Sequence, residues 1–120
     1  MTVTLSSSEP EPDLALVVGG ASHYRASHPV PGDISLVVEV ADSTLHYDQI
    51  VKGPIYARDS LPIYWIVNLV DRRIDVYTDP TGPTAQPRYQ HVRHAQLADS
   101  VDLIVGGQTV ATIPVADLLA

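Results

Sequence analysis

The chain has 120 residues, one domain's worth, and its 45% hydrophobic content is that of a folded protein rather than a disordered one. It contains no cysteine, which excludes a disulfide scaffold, thiolate zinc sites and cysteine nucleophiles, and fits a reducing compartment. Fourteen acidic residues against seven basic ones give a net charge of -7, the reverse of a non-specific nucleic-acid binder, and the basic set holds a single lysine, Lys52.

Residues 2–5 alternate like a strand end, and 6–12 form a polar, proline-bearing linker. Asp13 opens the apolar run 13–18, a short buried strand stopped by Gly19-Gly20, and residues 21–33, with His23, His28 and two prolines, read as a loop. The strongest strand pattern is 33–41, where Ile34, Leu36, Val38 and Val40 share one face and Ser35, Val37, Glu39 and Ala41 the other. Asp42-Ser43-Thr44 supply N-cap chemistry for a helix over about 45–59, interrupted at Gly53-Pro54. Strands follow at 63–70, 74–78, 89–93, 101–105 and 109–113, with a turn at Asp71-Arg72-Arg73, a loop at 80–83 and a helical tail over 115–120. This order predicts a single α/β or α+β domain, 1–120, with a mixed sheet. No apolar run approaches a membrane span and no signal peptide follows Met1, so a cytoplasmic location is expected.

Glu39 stands out, because a carboxylate among β-branched neighbours costs several kcal/mol unless it is paired, metal-bound or near water. Asp13, after Pro12, taken alone reads as a loop-terminating aspartate. Asp48, Lys52 and Tyr56 recur at i, i+4 and i+8, and the first two alone amount to a surface pair worth about 0.2–0.5 kcal/mol. His91 and His94, three apart on a strand, point to opposite faces and read as surface residues rather than zinc ligands. Tyr64 and Trp65 belong to the core.

Three strings stand in order: Glu-Pro-Glu-Pro-Asp-Leu-Ala-Leu-Val at 9–17, Leu-Val-Val-Glu-Val-Ala-Asp-Ser-Thr at 36–44, and Asp48 with Lys52, Tyr56 and Ala57, ahead of Ile-Tyr-Trp-Ile-Val-Asn at 63–68. From about Val3 to Leu119 the chain resembles the Uma2 family of bacterial restriction-endonuclease-like proteins, of the PD-(D/E)XK nuclease class. The resemblance implies a restriction-endonuclease-like mixed twisted sheet with a central helix, and a longer portion ahead of the Pro-Asp strand than this chain carries. It implies that Asp13 and Glu39, with the Val40 carbonyl, hold Mg²⁺ or Mn²⁺, ions suited to oxygen donors. The class motif places its lysine two residues after the second acid, where this chain has Ala41; the family resemblance moves it to the following helix, at Lys52. Asn68 stands where an aspartate commonly follows Tyr-Trp-Ile-Val.

The function the resemblance implies is divalent-cation-dependent hydrolysis of DNA phosphodiesters, with Asp13, Glu39 and Lys52 catalytic. Two other readings stay open: a non-catalytic binding or assembly module of the same fold, and a metal-dependent hydrolase of a small phosphate ester. A homodimer is expected, on the ground that a sheet without its N-terminal cover exposes apolar side chains to a partner.

Overall fold

The computed structural model of the chain describes residues 5, 12–17 and 34–119. The strand end expected at 2–5 and the linker expected at 6–12 fall almost wholly outside them. The Gly19-Gly20 stop and the whole of the loop 21–33, with His23 and His28, lie outside them. The described elements run β1 (Leu14–Val17), β2 (Ile34–Ala41), α1 (Leu45–Tyr47), a π-helical turn (Asp48–Lys52), α2 (Gly53–Arg58), β3 (Ile63–Asn68), β4 (Arg73–Pro80), β5 (Tyr89–Ala95), β6 (Ser100–Val105), β7 (Gln108–Pro114) and α3 (Val115–Leu119).

Five strands form one sheet in the order β1-β2-β3-β4-β5. Only β2 and β3 are parallel, and the helical segment between them supplies the crossover that parallel neighbours require. The expected mixed sheet with one central helix is therefore present. Val37, Ala41, Tyr64 and Ile66 bury one face of the sheet together with Tyr56 and Leu61. Leu36, Val38, Trp65 and Val67 bury the other against Val101, Val115 and Leu119. Each such fully buried side chain contributes about 1.5–3 kcal/mol. The second face is covered in part by a separate hairpin, β6-β7, and by α3, while Leu14 and Val40 on that face stay exposed. Gly106 and Gly107 both take positive φ at the tip of this hairpin, as a two-residue primed turn demands.

The helix does not break at Gly53-Pro54. Proline lacks an N–H and its ring crowds the carbonyl four residues back, that of Ile50. A widened turn just before it relieves this, closed by the Gly53 N–H donating to the Asp48 carbonyl. The Tyr64 hydroxyl donates to the same carbonyl at 3.1 Å and pins the wide turn to the sheet. Strand β3 ends at Asn68, two residues short of the expected end, because Asn68 accepts the Asp71 N–H at 2.9 Å and turns the chain. Among the described residues no helix is long and apolar enough to cross a membrane.

Candidate active site

The alternation of β2 puts Glu39 on the helix-covered face, where only 2% of it is exposed. A carboxylate there needs donors, and three elements supply them. The Asp13 backbone N–H, immediately before β1, donates to Glu39 Oε1 at 3.0 Å. The Lys52 ammonium, from the wide turn, reaches Glu39 Oε2 at 2.5 Å. The Tyr56 hydroxyl, one turn further, donates to the same oxygen at 3.3 Å. The Asp13 side chain in turn accepts the Val40 N–H on Oδ2 at 2.6 Å. Asp13 and Glu39 thus clasp each other across the β1-β2 pair, each carboxylate reaching the other's segment of backbone.

The expected site residues Asp13, Glu39, Val40 and Lys52 are therefore brought together. Asp13 is exposed while Glu39 is buried, so the pair joins a solvent-facing carboxylate to an enclosed one. The N–H and C=O of one strand residue point to the same side. The Val40 carbonyl hence faces the side on which the Asp13 carboxylate lies. Two carboxylates and a carbonyl make an all-oxygen donor set, the chemistry that suits Mg²⁺ or Mn²⁺ and keeps room for waters.

Asp48 differs from the surface partner that its spacing suggests. It is 2% exposed, accepts the Thr44 hydroxyl at 3.0 Å and lies 3.7 Å from Lys52. Thr44 accordingly makes no side-chain cap to the helix; its hydroxyl is spent on Asp48. Lys52 sits between two buried carboxylates, with the Tyr47 ring 5.8 Å away. Burial pulls the Lys52 ammonium down, but the hydrogen bond and charge of Glu39, with the charges of Asp48 and Asp13, outweigh it and hold the group above the ordinary 10.5. Burial and the Glu39 charge likewise push the Tyr56 phenol far up, so it remains a neutral donor. The role of Tyr56 was half visible in the sequence as the third member of the i, i+4, i+8 stack. The burial of Asp48 was not, because it depends on the wide turn.

His91 and His94 take opposite faces of β5, opposite Thr78 and Asp75, and both are exposed, as expected of surface residues. Tyr64 and Trp65 are core. Asn68 is fully buried and donates to Asp71 and Asp75, both at 3.1 Å. Among the described residues no group of three or more histidines and acids converges as a metal cluster.

No curated protein matches the sequence. The family model described as "Putative restriction endonuclease", Uma2, matches residues 1–114, and its restriction-endonuclease-like fold is consistent with the five-stranded mixed sheet and central helix. With nearly the whole chain matched, this protein belongs to the Uma2 family.

Proposed function

We propose that this domain hydrolyses DNA phosphodiesters with the help of a divalent cation. The observation that carries the reading is the convergence of the Asp13 backbone N–H and the Lys52 ammonium on the Glu39 carboxylate, with the Asp13 carboxylate on the neighbouring Val40 N–H. Asp13, Glu39 and the Val40 carbonyl would hold Mg²⁺ or Mn²⁺, and such an ion, when bound, polarises a phosphate oxygen and acidifies its water. Lys52 is held protonated, so it acts as a fixed cation toward the negative charge that builds on the phosphoryl oxygens, not as a base. Tyr56 keeps Glu39 aimed by donating to Oε2. A site with one cation cuts one strand, and duplex cleavage then calls for two copies; the homodimer we propose is checked by sedimentation at micromolar concentration.

The test is cleavage of a DNA duplex with Mg²⁺, with Mn²⁺ and with EDTA. Cleavage that needs the cation and disappears in Glu39→Gln supports the reading, whereas cleavage that persists in EDTA or in that variant overturns it. One observation favours a second reading, the non-catalytic module: Glu39 already receives three protein donors. That reading predicts neither cleavage nor stabilisation by either ion.

A further inference from the structure

The acidic balance of the chain is not uniform. Residues 69–95, which hold β4, β5 and the turns that bound them, contain Arg72, Arg73, Arg88 and Arg93 against Asp71, Asp75 and Asp79, a net charge of +1, so the remainder carries -8. The three acids there are largely engaged. Asp75 is fully buried and accepts Arg73 Nε at 2.7 Å and Asn68 Nδ2 at 3.1 Å, with His94 Nδ1 at 2.7 Å. Asp71 accepts from Asn68 and lies 3.7 Å from Arg73. Asp79 faces His91 at 3.4 Å. Among the described residues, Arg72, Arg88 and Arg93 have no carboxylate partner.

Among the described residues β5 pairs only with β4 and so forms an edge, with residues 90–94 exposed and Arg93 and His94 on opposite faces of the strand. Charges on an edge strand oppose pairing with another strand. They suit a polyanion instead. The buried Asp75 fixes the Arg73 guanidinium and the His94 ring in place, and planar guanidinium groups match phosphate oxygens. Glu39, Ile66, Asp75 and His94 occupy one cross-strand row. Glu39 and His94 are thus three strand spacings apart, about 14 Å. That is less than half of a B-DNA turn of about 34 Å.

We propose that the β4-β5 ribbon, centred on Arg73 and His94 and flanked by Arg72 and Arg93, is the track on which the sugar-phosphate backbone of DNA lies. The choice of DNA as the polyanion rests on the nuclease reading; the track itself rests on the charge distribution and the Asp75 cluster.

The experiment is titration of a fluorescent DNA duplex with the full chain in EDTA over a salt series. Arg72→Gln/Arg93→Gln removes two positive charges from the track. Gln108→Glu/Thr109→Glu changes the net charge equally at the β6-β7 tip, where Gly106 is bonded to Ser35. The first variant is expected to weaken binding and to flatten the slope of log K against log salt by about 2, with the second leaving the slope unchanged. An unchanged slope in the arginine variant, an equal loss in both, or no binding by the wild type overturns the track. Track-dependent binding by a protein that cleaves nothing with Mg²⁺ or Mn²⁺ overturns the nuclease reading instead, and cation-dependent cleavage whose KM is unchanged in Arg72→Gln/Arg93→Gln overturns the track alone.

Discussion

Two carboxylates are buried in the same row of the sheet on the same face, with Ile66 between them, and they are satisfied in different ways. Asp75 is closed off by planar donors, Asn68 from the adjacent strand β3 and Arg73 and His94 from β4 and β5, and none of it is exposed. Glu39 is held by a flexible lysine delivered from the helix and by a segment ahead of β1, beside an exposed second acid, Asp13. Rigid donors make a structural knot. A movable cation next to a solvent-facing carboxylate leaves a site that can exchange its partner for a ligand.

The comparison breaks first at Asp75. Asp75→Ala removes the common acceptor of Asn68, Arg73 and His94, and is expected to cost about 3–5 kcal/mol of folding stability, as does breaking a buried pair on one side. Glu39→Ala should cost less, about 1–3 kcal/mol, because Lys52 is 23% exposed and can turn to water or to Asp48. Urea unfolding of the two variants checks the order, and a larger loss at Glu39 would reverse the assignment of knot and site.

Lys52 sharpens the same contrast through activity. Lys52→Ala should lose about 2.7–4 kcal/mol of transition-state stabilisation, the scale set by removing one preorganised donor. It also strips the buried Glu39 of its cation, so folding stability falls as well, by about 1–3 kcal/mol. A surface pair with Asp48 would have cost no more than about 0.5 kcal/mol. Unfolding and single-turnover cleavage of one preparation separate the two losses.

Metal linkage is the next test. Mn²⁺ at a hundred times its Kd should stabilise the wild type by about 2.7 kcal/mol. The gain should vanish in Glu39→Gln and survive in Asp75→Asn, as read by the melting temperature. Equal gains in all three proteins would move the cation elsewhere.

Much of this was legible in the residues, and the reasons are local. Period-two alternation placed Glu39 on a face with Val37 and Ala41, and the family resemblance carried by the ordered strings implied that Asp13 and Lys52 join it. The Asp75 cluster was not legible, because Asp75 reads as an ordinary polar position on a short strand. Its partner His94 lies 19 residues on, across a loop whose length says nothing of register. The wide helical turn was visible only as a disturbance at Gly53-Pro54, and the burial of Asp48 follows from that turn rather than from its spacing to Lys52. The covering role of β6-β7 was missed for a similar reason: short alternating strands do not announce which sheet they join.

The smallest expected effect lies at Tyr56, which joins the site to the tyrosine layer of Tyr64, Tyr77 and Tyr89. Tyr56→Phe removes a long hydrogen bond to Glu39 but leaves those from Lys52 and the Asp13 N–H. The cost at pH 7 should be about 0.5–1.5 kcal/mol, nearer the lower figure. Alkaline pH enlarges the difference in a known direction. Burial raises the folded pKa of Tyr56 far above the ordinary 10.0, so above pH 10 the unfolded chain releases a proton that the folded chain keeps, and stability falls as pH rises. Lys52, raised above 10.5, adds a loss of the same sign once pH passes its unfolded value, and that loss remains in the variant. Tyr56→Phe should therefore decline less steeply than wild type above pH 10, by up to about 1.4 kcal/mol per pH unit. Its stability deficit at pH 7 should close and then reverse. Parallel decline of the two proteins in metal-free urea unfolding would mean that the Tyr56 phenol ionises as freely when folded as when unfolded, and its donation to Glu39 would have to be given up.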